Sequence, residues 1–232
     1  WILSKTVPKV QSQNVDAASW FSSSSTTLIE ITSELNGPIK GFPERFKALI
    51  TKEAPNWIKQ VEDDPVVSIH YEDRYLKSPW SALLLAGVFW VFKSDALKSI
   101  NVTTHFKDSY GQPRWLWDNW DSSNDYLTVM PKLFDAITGV SSQIDVKSVL
   151  NDVSHRRILT LTLASGRTVK CSFDQGMGYW NAHAPNPQHR KFDFEGTVNE
   201  QLQGFIDAWS NVGVTHSGHW PTHILLYALE DE

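Results

Sequence analysis

VSHRRILTLTLASGRTVKCSFDQGMGYW, residues 153–180, is the stretch on which the reading of the fold turns. Within it Leu159, Leu161 and Leu163 alternate with Ile158, Thr160 and Thr162. A period of two with β-branched enrichment marks a strand with one buried face. Residues 164–167 (ASGR) supply a turn and residues 168–173 (TVKCSF) alternate again, so the pair reads as a β-hairpin. His155, Arg156 and Arg157 stand at its entry, and the chain leaves it through Gly176 and Gly178. Glycine there lets the backbone turn sharply or approach a ligand closely. The hairpin is therefore expected to set a cationic rim beside a glycine-rich turn, where a phosphate group would be held.

Working outward, residues 65–76 (PVVSIHYEDRYL) read as a central strand ending in the polar tip Glu72, Asp73, Arg74 and Tyr75. Ser78 and Pro79 supply an N-cap and a first-turn proline for a helix over 80–93. That helix is apolar nearly all round, so it is expected to be covered on every side. Residues 100–105 form the next strand, and strand, helix, strand predicts a βαβ unit. A helix over 126–137 with Pro131 in its first turns and a strand over 143–149 lead back to the hairpin. Upstream, residues 26–35 read as a strand, followed by helical pieces beginning at Pro43 and around Trp57 and Ile58. Downstream, residues 182–191 read as a loop. Thr197-x-x-Glu200 is a capping box opening a helix to about Asn211. A loop over 216–221 and a last strand over 222–229 close the chain. Residues 1–25 are polar and serine-rich and read as a lead-in or linker. Residues 26–232 are then a single α/β domain, a mixed β-sheet flanked by helices.

A net charge of −5 argues against a general nucleic-acid coat and leaves room for a local basic patch. The one cysteine, Cys171, excludes an internal disulfide and favours a reducing, cytoplasmic setting. The most apolar run, residues 80–92, falls short of the roughly 20 residues a membrane span needs. Eleven tryptophans are many for this length. Arg114, Trp115, Trp117 and Trp120 in the 106–125 segment have the composition of an interaction loop, or of a loop folded over the core.

Taken together, Glu72-Asp73-Arg74-Tyr75-Leu76 after the first central strand, a strand closing in Thr103-Thr104, and His155-x-Arg157 before a glycine-rich hairpin resemble a known family. It is the phospholipase-D-like C-terminal domain of MIT-domain proteins, with bacterial relatives linked to helicase-type defence systems. The resemblance covers roughly residues 66–180. Arg156 replaces the aspartate of that family's His-Asp-Arg motif, and Gly176-Met177-Gly178-Tyr179-Trp180 takes the place of its Gly-Leu-Asp. The resemblance implies a phospholipase-D-like sandwich without the parent catalysis. It further implies a non-catalytic recognition or docking domain in an antiviral, helicase-associated assembly, binding a DNA or RNA backbone or a partner protein.

The expected phosphate contacts are His155, Arg156, Arg157, Arg167 and Lys170, since arginine suits bidentate phosphate binding. A degenerate, metal-independent phosphodiesterase or nuclease would use His155 as its nucleophile, and the pattern required is His-x-Lys-x4-Asp. The stretches at His105, His155 and His189 each match it in part: Gln112, Thr162 and Gly196 stand where the aspartate belongs. Binding to an anionic membrane surface is a third reading. His216, His219 and His223 have the spacing of zinc ligands but lack a fourth, so a surface loop is expected and no metal or cofactor. The carboxylates of residues 62–64, of Glu72 and Asp73, and of Asp118, Asp121 and Asp125 would suit Mg²⁺ in a nuclease, or simply cap and pair. Asn101-Val102-Thr103 is a glycosylation acceptor in form only, because it falls inside a predicted strand.

Overall fold

The computed structural model describes residues 26–228 apart from 107–110, 112, 154 and 219. The expected lead-in, residues 1–25, and the end of the last predicted strand, at Leu229, lie outside the described residues. In chain order the strands are β1 (Thr27–Ile31), β2 (Gly37–Pro38), β3 (Val66–Glu72), β4 (Ser99–His105) and β5 (Ser142–Lys147). They continue as β6 (Arg157–Leu163), β7 (Thr168–Phe173), β8 (Trp180–His183), β9 (Gly213–His216) and β10 (Thr222–Ala228). The α-helices are α1 (Phe42–Glu53), α2 (Pro55–Asp63), α3 (Pro79–Val91), α4 (Ser123–Thr138) and α5 (Val198–Asn211).

Seven strands join in one mixed sheet, ordered β1-β10-β7-β6-β3-β4-β5, flanked by helices. β3, β4 and β5 run parallel, joined by α3 and α4. β6, the first strand of the expected hairpin, pairs antiparallel with β3 on one side and with β7 on the other. β3 therefore stands where the sheet changes from parallel to antiparallel.

The register shows why one face is apolar. Leu226, Cys171, Leu159, Tyr71, Val102 and Ile144 lie in one row across six strands. All but Ile144 are buried, and Ile144 packs partly covered against the same core. The helices pack on this face through Phe46 against Phe173 and Phe89 against Tyr71. The alternate residues, among them Ser68, His70, Thr103, Thr160, Lys170 and Ser172, are half-buried or exposed and polar. α3 is held by its Ser78 capping box and Pro79 and is buried along nearly its whole length between the sheet, α1 and α4.

Two expectations need correction. Residues 180–183 and 213–216, read as loop or helix end, form with β2 a small antiparallel sheet, β2-β9-β8. Trp180 and Ala182 are buried while Asn181 and His183 are exposed, a two-residue alternation too short to stand out in a Pro- and His-rich region. α4 starts at Ser123 on its Ser122 cap, earlier than expected, so Pro131 lies mid-helix.

Candidate functional site

The end of β3 gathers the two landmarks read from the sequence. Asp73 is 2% exposed, and its amide continues the ladder to Thr103 O at 3.0 Å. Its carboxylate accepts the Tyr71 hydroxyl at 3.0 Å and the Tyr75 amide at 2.8 Å. Arg157 Nε faces it at 3.6 Å, and the same guanidinium donates to the Asp174 carbonyl. Burial pushes the Asp73 carboxyl above the usual carboxylate range, opposed by the Tyr75 amide, the Arg157 charge and the Tyr71 hydroxyl. The Tyr71 phenol is raised as well, chiefly by its own burial and then by the Asp73 charge.

Strand parity explains this pairing. Arg157 shares its side of β6 with Leu159, Leu161 and Leu163, so its guanidinium turns toward the apolar layer and needs a buried acid. Gly176 closes the pocket with φ +68°, and a Cβ built there would fall 2.8 Å from both Arg157 Nε and Asp73 Oδ2. Only glycine suits both the left-handed backbone and the contact.

Around this buried pair lies an exposed ring. Tyr75 is half-open to solvent, with Arg157 5.2 Å and Lys77 5.5 Å from its ring centroid and His155 meeting it edge-on at 5.9 Å. Arg74 reaches the Val153 carbonyl and pins the segment entering the hairpin. The 114–120 loop adjoins the same edge, with Trp120 N bonded to Lys77 O at 3.2 Å and Trp80 N to Leu116 O at 2.7 Å. Trp115 and Trp117 stack at 5.5 Å, and the Arg190 guanidinium lies 5.7 Å from Trp117. Beyond the glycine turn, Tyr179 donates to the Trp220 carbonyl, and Trp220 is 82% exposed.

The sequence candidates therefore separate. Asp73, Arg74, Tyr75, His155 and Arg157 come together. Arg167 does not join them: it sits at the other end of the hairpin, where Asp64 takes it at 3.3 Å. Hydrogen bonds from Ser165 and the Arg167 charge hold Asp64 below the usual carboxylate range. Lys170, half-buried, and Glu72, on the same parity as His70, belong to the polar face of the sheet. Arg156 shares the parity of that face and is engaged within it, with Tyr227 feeling its charge. Trp120 leaves the proposed interaction loop entirely. It is fully buried, donates to Gln201 Oε1 at 3.1 Å and packs against Tyr126 and Phe192. Arg114 stays exposed, its amide held by the Asp118 carboxylate at 2.8 Å.

The remaining motifs resolve into local structure. His105 is buried against Lys147 O at 2.9 Å, while Lys107 and Gln112 of its motif lie outside the described residues. His189 lies in a 3-10 turn, Pro187–Arg190. Of the three histidines with zinc spacing, His216 faces Asn36 and His223 lies between Asp174 and Glu30, at 3.1 and 3.7 Å. His219 lies outside the described residues. Among the described residues no three His, Cys, Asp or Glu side chains are grouped to hold a metal ion. Among them, too, no helix is long and apolar enough to cross a membrane.

Sequence reasoning missed Trp220 and Lys77. Trp220 follows a glycine-containing loop and precedes Pro221, which marks an exposed position without marking that its carbonyl takes the Tyr179 hydroxyl. Chemically, the edge offers aromatic rings flanked by cations, of which Arg157 is matched internally by Asp73 and the Asp174 carbonyl. Compared with known families, residues 25–228 match the model described as DEAD/DEAH box helicase YjiV, C-terminal domain. The comparison with curated proteins found no match.

Proposed function

The chain belongs to the family of C-terminal domains of the DEAD/DEAH box helicase YjiV, and on that premise we propose that it is a non-catalytic docking domain. Its partner is the helicase portion of the assembly, and its contact surface is the strand-end edge presenting Tyr75, Trp117 and Trp220. One observation carries this reading: the edge exposes large aromatic rings beside Arg190 and Lys77. Tryptophan, tyrosine and arginine are the residues on which protein interfaces concentrate their energy. The position also suits a binding role, since open α/β sheets place ligands at strand C-termini where the strand order reverses.

A phosphate backbone is the second reading, favoured by the three side chains around Tyr75: Arg157, Lys77 and His155. It ranks below protein docking because Arg157 is matched by Asp73 and Arg167 by Asp64, which removes two of the four expected cations from the rim. The net charge of −5 would also repel a polyanion at long range. The βαβ frame with Asp73-Arg74-Tyr75-Leu76 at the end of β3 supports a phospholipase-D-like ancestry, and an antiviral assembly in the cytoplasm is the setting that the resemblance implies. Within that ancestry His155 would be a recognition residue set against Tyr75, and not a nucleophile.

Hydrogen–deuterium exchange of the chain, alone and with the separately purified helicase portion, tests the proposal. Protection is expected in peptides covering Tyr75, Trp117 and Trp220. Protection confined to the polar sheet face, or none at all, would overturn it.

A further inference from the structure

Beyond the docking edge, a groove of about 690 Å³ opens between the 113–121 loop, the 191–195 segment and the outer side of α5. Its floor is Phe192 and Phe194, both buried and meeting at 5.0 Å. The walls are fixed in place. Backbone bonds from Leu116 to Arg190 and from Phe192 to Arg114 tie the first loop to the second at 2.9 and 3.0 Å. Gln201, itself buried, binds the Phe194 and Gly196 carbonyls and accepts Trp120 Nε1, tying both loops to α5. The concavity is thus preformed, as binding clefts usually are.

Its charge is one-sided. Asp121, Asp193, Glu195 and Asp207 line it and are exposed, against Arg114 and Lys191. Glu200 also lines it but is committed to the Thr197 capping box. Four carboxylates facing two cations over an aromatic floor suit a partner that presents positive charge around an apolar side chain. We propose that this groove receives an extended, lysine- or arginine-bearing segment of a partner protein, whose apolar residue sits over Phe192 and Phe194. Complementary charge would set the orientation and the rate of encounter, and the covered floor would slow release. The groove shares the 113–121 loop with the docking edge, but Tyr75, Trp117 and Trp220 do not line it, and it does not depend on the docking reading.

The test is fluorescence anisotropy with a labelled lysine heptapeptide carrying a central leucine, titrated with the 232-residue chain at low and physiological salt. A glutamate heptapeptide with the same leucine is the control. The Asp193→Asn/Glu195→Gln/Asp207→Asn chain should bind the lysine peptide roughly tenfold more weakly, the sum of three modest screened charge contacts. Glu44→Gln/Glu53→Gln/Glu62→Gln, with the same change of net charge away from the groove, should bind within about twofold of the original chain. Trp220→Ser should leave this binding unchanged while disturbing the docking edge. Equal loss in both triple variants, binding of the glutamate peptide, or no binding of the lysine peptide would each overturn the proposal.

Discussion

Replacing Asp73 isolates the interaction that builds the site. The carboxylate is buried, accepts two hydrogen bonds and faces a guanidinium that turns toward the core. Asp73→Ala leaves Arg157 as a buried charge without its acid and strands the Tyr75 amide. Breaking a buried pair in this way costs about 3–5 kcal/mol. For a protein of this size each kcal/mol lowers Tm by roughly 2–4 °C, so a fall of roughly 6–20 °C is expected. Asp73→Asn keeps an acceptor for the Tyr75 amide and should cost about 1–3 kcal/mol. The pH dependence separates two accounts of the pair. Because burial raises the Asp73 pKa in the folded state, its contribution is fully present below the unfolded value of about 3.9 and is lost as pH rises through the folded value. Acidification from neutral should therefore shift the stability difference between the original chain and Asp73→Asn in favour of the original chain. Urea unfolding of both at neutral pH and at about pH 5 measures this. A shift of the opposite sign would mean that Arg157 outweighs desolvation, and would refute the reasoning.

Three further substitutions probe the same architecture. Gly176→Ala forces a Cβ into Arg157 and Asp73 from a left-handed backbone, and should cost about 2 kcal/mol or more by chemical denaturation. Trp120→Ala opens a cavity among Tyr126, Phe192 and Phe205 and should cost about 3–5 kcal/mol, whereas Trp117→Ala should stay within about 1 kcal/mol; thermal unfolding distinguishes them. Ser78→Ala removes the hydroxyl that accepts the Ser81 amide, one half of the α3 capping box, and should cost about 1 kcal/mol, read from the urea midpoint.

Much of this architecture was legible in the sequence because its signals are local and periodic. Leu159 and Leu161 opposite Cys171 and Val169, with Leu163 and Phe173 on the same face, specify a hairpin with one apolar face, and that is what β6 and β7 form. Ser78-Pro79 and Thr197-x-x-Glu200 mark helix starts because a capping side chain acts within one turn. The site was only half legible, for a physical reason also present in the sequence. Counting parity from Leu159 back to Arg157 puts that arginine on the core side, where it needs a buried acid, and Asp73 supplies it. Arg167 lies apart for a different reason: a seven-residue strand separates it from Arg157, and at about 3.3 Å per residue the two lie at opposite ends of the hairpin. The tryptophans show the limit of composition. Trp117 and Trp120 stand three residues apart in one loop, and only tertiary packing against Gln201 and Phe205 decides that one is core and the other surface. β8 and β9 escaped detection because each is four residues long and takes its register from the other.

The edge of Tyr75, Trp117 and Trp220 as a protein-docking surface is tested most directly by isothermal titration of the chain against the helicase portion, original beside Trp117→Ser/Trp220→Ser. Both side chains are exposed, so the variant should fold as before, which circular dichroism would check. The account predicts binding by the original chain and a loss of at least tenfold in the variant, about 1.4 kcal/mol. Unchanged affinity in a folded variant would contradict it.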